Sequence, residues 1–341
     1  MRKKIVTIGG GTGSFVLLSG LRDYDFDISA IVSMADDGGS TGRLRDELGV
    51  LPPGDVRQCL VALSKEPLLW RDIFNYRFEN GDLKGHAVGN LFLSGLEKMK
   101  GDFSSGLQVA MKALNIKGEV IPVTESDTNL NLKLKSGEVI KGEGEINENL
   151  EIEKIGLEEI SLFPSAQANP KALRAINEAD LIVIGPGNHY CSVIPNLLVK
   201  GIPDVLKETK AQIVYVSNLV NKAGHTSLFK LDDYVGMINK FIGKERIDFV
   251  IFNTKKPTKE LVEKYKKRGE DILVFDETDD SIKRNYKIVA SSLLGEEQKF
   301  SKSDEISGVR ALIRHDHRKL AKVIQYIANL SDYKGVIKKI F

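Results

Sequence analysis

A chain of 341 residues, 42% apolar and 28% charged, can bury a sizeable core and falls outside the disordered class. Its 49 Lys and Arg against 47 Asp and Glu leave a net charge of +2, so no field favours a nucleic acid or a membrane surface. No apolar run reaches the roughly 20 residues of a bilayer span, and the apolar part of "MRKKIVTIGGG" is too short for a secretory signal. Cys59 and Cys191 are too few and too far apart for a disulfide frame or a metal cluster, so the chain reads as cytoplasmic. Apolar, β-branched runs predict buried strands at 3–9 (KKIVTIG), 28–34 (ISAIVSM), 180–185 (DLIVIG), 212–217 (QIVYVS), 248–252 (DFVIF) and 271–275 (DILVF). Helical periods lie between many of them, at 14–21, 169–179 and 258–268. Strands alternating with helices predict an α/β fold, a doubly wound, mostly parallel sheet in a single domain over 1–341. Between 54 and 114 the pattern turns wholly helical, which predicts a helical insertion standing over one end of the sheet. Alternation of period two around "NLKLKSGEVIKGEGEI" (131–146) predicts a small exposed β-hairpin. "RHDHRKLAKVIQYIANL" predicts a C-terminal helix with Asp316 as its N-cap.

The first candidate site is "TIGGGTGSF" (7–15), a glycine turn between strand and helix. Glycines there let the backbone approach an anion, and the helix start offers free N–H groups and a positive dipole end. The dinucleotide fingerprint is broken, because Val16 stands where its third glycine belongs, and no Lys follows to make a P-loop. Gly10, Gly11, Thr12 and Gly13 therefore read as a phosphate or nucleotide loop.

"MADDGGSTGRLRDELGVLPPGDVR" (34–57) follows the second strand. Asp36 and Asp37 suit a hard cation or a hydroxyl, while Gly39, Ser40 and Thr41 suit phosphate oxygens. Asp55 could close the same site from the next helix N-terminus, and Arg43 and Arg45 read equally well as a solvated face. "LIVIGPGNHYCSVIPN" (181–196) makes a second close-approach turn through Gly185 and Gly187. His189 and Cys191 lack a third orienting group, so packing is the favoured reading. The strand ends together carry Gly9–Gly11, Asp36–Asp37, Gly185–Asn188, Asn218 and Asn253, which points to a cleft along that edge, with Asn90 as a wall. The pair His315 and His317 reads as incidental.

The blocks "GGGTGS", "ADDGGSTGRLRDELGVLPPGDVRQCLVALS", "HAVGNLFLSGL", "ADLIVIGPGNHYCSVIPNLLVKGI", "YVSN" and "RHDHRKLA" resemble the gluconeogenesis factor family, a branch of the 2-phospho-L-lactate transferase-like (CofD-like) superfamily. The resemblance implies a Rossmann-like fold with a nucleotide-diphosphate cleft. Transferase members move a phospholactyl group from a guanosine diphosphate donor with Mg²⁺. Gluconeogenesis-factor members are taken to bind UDP-sugars such as UDP-N-acetylglucosamine, without turnover, and to affect cell-wall synthesis and cell shape on gluconeogenic carbon. By resemblance, Thr12 and its glycines match the diphosphate loop, Asp36–Asp37 the shared acidic site, and Asp55 a metal or acceptor-side aspartate. Asn218 and Arg314 match polar positions expected near the nucleotide or sugar, and Gly187 and Asn188 of the second turn are read as nucleotide-binding beside them. Were the chain a transferase, Asp37 and Asp55 would be its catalytic residues and its Mg²⁺ ligands. A nicotinamide-dependent dehydrogenase is a third reading, weakened by Val16. The chain departs from the family form in two places: "GPGNHYCS" stands for the usual "GPGSLYTS" and "NKAGHT" for "TQPGET", which puts Asn188 and His225 in new roles. A homo-oligomer is left open.

Overall fold

The computed structural model describes residues 2–273, 283–296 and 312–337. Strands β1 (Lys3–Gly9), β2 (Phe26–Val32) and β3 (Glu119–Pro122) open a sheet that a later segment completes. An antiparallel trio follows: β4 (Asn129–Leu134), β5 (Val139–Lys141) and β6 (Leu157–Phe163). The main sheet resumes with β7 (Leu181–Ile184), β8 (Gln212–Val216), β9 (Ile247–Asn253) and β10 (Lys287–Ser291). Its seven strands are parallel in the order β10-β9-β8-β7-β1-β2-β3. The order runs outward from β1 and β7 in opposite directions, so these two neighbours define the switch point of an α/β sheet, where ligands bind. The strand predicted at 271–275 is different. Ile272 only bridges Val220, and residues 274–275 lie outside the described residues.

Helix α1 (Gly11–Leu21) covers β1, burying Leu17, Leu18 and Leu21 to 1% exposure or less. Each such leucine contributes roughly 1.5–3 kcal/mol of burial. Its Gly20 lets the helix His317–Ile337 cross closely, since a Cβ there would overlap the His317 carbonyl oxygen. Asp316 caps that C-terminal helix, accepting from the N–H groups of Arg318 (3.0 Å) and Lys319 (3.1 Å).

Between β2 and β3 run only helices: α2 (Gly39–Leu48), α3 (Gly54–Leu63), α4 (Pro67–Asn75), α5 (Val88–Lys100) and α6 (Phe103–Ala113). Gly95 sits on the exposed face of α5, and a methyl added there would meet nothing within 4 Å. Gly95→Ala should therefore stabilise the protein by about 0.5–1 kcal/mol, read as a higher denaturant midpoint with unchanged slope.

The predicted hairpin forms from β4 and β5, with Asn131 opposite Lys141. Two features differ from expectation. β6 adds a third strand, and residues 143–148 form helix α7 (Glu143–Glu148) instead of extending β5. Gly142, at φ 91°, makes that turn possible.

Candidate functional site

The cleft opens at the carboxyl ends of β1 and β7. Gly11, at φ 60°, starts α1, and Thr12 is exposed on its first turn. Two close approaches explain the glycines beside them. A Cβ at Gly13 would overlap the Pro186 carbonyl oxygen, and one at Gly10 would overlap a carboxylate oxygen of Asp55. The loops of β1 and β7 are thus in backbone contact.

Asn218, at the end of β8, fixes the second loop. Its amide accepts from the Gly187 N–H at 3.1 Å and donates to the Gly187 carbonyl at 3.0 Å, standing in for a strand neighbour. Asn188 accepts from the Cys191 N–H at 3.3 Å, capping the π-helical turn His189–Val193, and donates to Asn147 at 2.9 Å. Both amides, expected near the nucleotide, hold the loop that would face it.

The aspartates converge from three segments. Asp36 accepts from the Gly38 N–H at 3.0 Å and from the Thr41 hydroxyl. Asp37 turns the other way and accepts from the Gly144 N–H at 2.9 Å. Asp55 is not the N-cap of its helix; α3 is preceded by Pro53, and Asp55 in the first turn accepts from the Gly11 N–H. Glu143, the first residue of α7, completes the group. Each acid keeps some surface open to the cleft, yet protein surrounds it on most sides. Burial, then the neighbouring Asp36, pushes the Asp55 carboxyl up to about 7. Burial likewise raises Asp36, and burial followed by the charges of Asp36, Asp55 and Asp37 pushes Glu143 well up. Crowded carboxylates in low dielectric favour a proton or a cation.

Ser40 and Thr41 are buried, and their hydroxyls are engaged inside the protein. Ser40 pairs with His86 Nδ1 at 3.1 Å and accepts from Asn90 at 3.2 Å. Arg57 Nε donates to the same Asn90 at 2.8 Å, so Asn90 belongs to a buried polar network behind the cleft and is not its wall. Gly39 is exposed at the start of α2 with φ 46°. Arg45 braces the aspartate turn, donating to the carbonyls of Asp36 and Thr128 (both 3.1 Å) and to Asp127 at 2.6 Å. Arg43 donates to the Lys84 carbonyl at 2.8 Å. Arg314 lies just past the carboxyl end of β10, where its carbonyl accepts from the Gly295 N–H at 2.9 Å, beside the bridge from His315 to Leu294.

His189 is buried among the rings of Tyr190, Phe229 and Tyr234, and burial lowers it to about 3, so it is neutral. Burial pushes the Cys191 thiol well up. Neither state suits a nucleophile and its base. A surface depression of ≈ 570 Å³ lies at the opposite end of β1, around Lys3, Asp25 and Asn329. It holds none of the glycine loops or crowded acids, so chemistry, not size, locates the site.

Residues 5–294 match the model of the family described as 2-phospho-L-lactate transferase CofD. A Thermotoga maritima protein is 40% identical, covering 95% of this chain and 99% of its own length. The gluconeogenesis factor of Halalkalibacterium halodurans is 40% identical over 81% of this chain and 85% of its own. The chain belongs to the gluconeogenesis factor branch of the CofD-like family. A solved structure of a UPF0052 family protein from Bacillus halodurans superposes with a TM-score of 0.83 at 36% identity, covering 95% of this chain and 99% of that one. Among the described residues no helix is long and apolar enough to cross a membrane.

The two departures from the gluconeogenesis factor form meet at one place. Asn188 bonds to Asn147, and His225 Nε2 bonds to the Asn149 carbonyl at 3.0 Å, both at the end of α7. Gly224 is pressed against Leu150, and its carbonyl accepts from the Glu153 N–H at 2.8 Å. The departures therefore hold the helix that carries Glu143. Glu143 itself escapes notice in sequence, because it falls inside the alternation that predicts an exposed hairpin at 131–146. The available signal is the glycine on each side of it, since a Cβ at Gly142 would overlap the Asp37 carboxylate.

Proposed function

We propose that the chain binds a nucleoside diphosphate sugar of the UDP-N-acetylglucosamine type and, without turnover, regulates cell-wall synthesis and cell shape during gluconeogenic growth. The observation that supports this most is the contact between Gly13 and Pro186, which joins two glycine loops at the sheet's switch point. The N-terminus of α1 opens between them, with Thr12 exposed beside it, where a diphosphate finds N–H donors and a favourable dipole. His189 and Cys191, buried and in unreactive states, supply no nucleophile at this edge.

Thermal unfolding with UDP-N-acetylglucosamine, GDP, NAD and AMP tests the reading. At a concentration of 100 times Kd, the UDP-sugar should stabilise by about 2.7 kcal/mol, and the other nucleotides by less. Stabilisation by another nucleotide with none by the UDP-sugar would sink it.

The crowded carboxylates favour a second reading, an Mg²⁺-dependent transferase acting on a nucleotide diphosphate ester. Among the described residues no three His, Cys, Asp or Glu side chains stand close enough to cage a cation by themselves. Mg²⁺ is commonly held by one or two carboxylates together with substrate phosphates, and Asp37 and Asp55 fit that use. The ion would offset charge on a departing phosphate. On this reading Asp55 and Asp37 position the ion, while the Gly10–Gly13 loop binds and orients the diphosphate.

A further inference from the structure

The exposed face of the small sheet, where it meets Asp37, forms a second pocket of ≈ 390 Å³. That lies within the roughly 300–1,000 Å³ of small-molecule sites. β4 alternates: Leu130, Leu132 and Leu134 are buried, which turns Asn129 and Asn131 to the opposite face. The register then brings other strands' residues beside them. Phe163 of β6 stands opposite Asn129, and Lys141 of β5 stands opposite Asn131. All four line the pocket, together with Asp37 and Gly142.

Three features set this face apart from an ordinary solvated sheet. Phe163 is 68% exposed, an apolar ring left on a polar surface. Neither Asn129 nor Asn131 uses its amide in a hydrogen bond among the described residues, so each offers a donor and an acceptor. And Asp37, which lines the pocket, belongs to the acidic group that touches the Gly10–Gly11 loop through Asp55. An exposed ring flanked by bidentate amides, a carboxylate and an ammonium suits a hydroxylated ring. Phe163 offers an apolar face for the C–H side of such a ring, and the amides and Asp37 offer partners for its hydroxyls. Asp37 is the link between the two: it lines this pocket and, with Asp36 and Asp55, acts on Glu143, while Asp55 lies against Gly10 and Gly11.

We propose that Asn129, Asn131, Lys141 and Phe163 form the subsite for the pyranose of a nucleotide sugar, and that these residues set which sugar is accepted. This rests on the nucleotide-sugar reading above. Calorimetric titration separates the two. Wild type, Phe163→Ala and Asn131→Ala are each titrated with UDP and with UDP-N-acetylglucosamine. Both side chains are on the exposed face, so the variants should melt with wild type; circular dichroism checks this. The expected result is a loss of about tenfold or more in affinity for UDP-N-acetylglucosamine, with UDP affinity changed less than about twofold. If wild type binds both ligands and the variants bind the sugar form as tightly, the subsite is overturned while the nucleotide reading stands. An equal loss for UDP and the sugar form overturns it too, since the residues would then act on the nucleotide or on the fold. If wild type binds neither, both readings fall together.

Discussion

Asp55→Asn should unfold at a higher temperature than wild type at pH 8, and at the same temperature at pH 4. Asp55 is held at about 7 in the folded protein against 3.8 for an ordinary Asp. Between these values the folded state binds the proton and the unfolded state does not. Stability from this group is therefore full below pH 4 and is lost as pH rises through 7. Asn keeps the acceptor for the Gly11 N–H and cannot ionise, so it removes the loss and also relieves Asp36 and Glu143. The side chain keeps some contact with the open cleft, so the gain at pH 8 is put at about 2–4 kcal/mol. Melting curves from pH 4 to 8 check the result, and parallel curves for the two proteins would refute it. Mg²⁺ offers an independent handle. At pH 8 it should stabilise wild type by lowering the cost of the ionised carboxylate, and should stabilise the variant less.

The second large effect is Gly13→Ala. The added methyl would meet the carbonyl of Pro186, which is backbone and cannot rotate away. The two glycine loops must separate, at about 1–3 kcal/mol for overpacking or more where backbone shifts. Because the same contact shapes the anion-binding turn, stabilisation by UDP-N-acetylglucosamine should disappear as well. Chemical denaturation and thermal shift read the two losses separately. A variant that keeps wild-type stability and ligand response would show that the loops do not depend on their contact.

Much of this fold was legible in the sequence because of where strands sit in a parallel sheet. β1, β2, β7, β8 and β9 are buried over most of their length and appear as near-continuous apolar runs. The strands missed in the main sheet, β3 and β10, are its two edges. β3 has four residues, and β10 has only exposed or half-buried positions, so neither writes a strong pattern. The site divides similarly. Gly10, Gly13, Asp36 and Asp37 could be found because glycine and acid clusters at strand ends have few other uses. The turn from β5 into α7 depends on one glycine conformation, and with it the arrival of Glu143 beside Asp36 and Asp55. No local pattern announces that. Ser40 and Asn90 carried the right chemistry, but their bonds to His86 and Arg57 span 46 and 33 residues and are invisible in sequence, while Thr41 turns its hydroxyl to Asp36 in its own turn.

The strand order also bears on synthesis. β1 pairs with β2 once the first 32 residues exist, but its other neighbour, β7, begins only at Leu181. At roughly 5–20 residues per second, a chain leaving the ribosome carries an unpaired β1 edge for on the order of ten seconds. Ile5, Val6 and Ile8 make that edge apolar and prone to join another nascent chain. Lys3 and Lys4 stand at its start as charged guards. In the finished fold Lys4 binds Glu178 at 2.7 Å, and its N–H donates to Asp180 at 2.8 Å, on the segment leading into β7. The same Lys4 that puts a charge at the waiting edge latches the late-arriving partner in the finished fold.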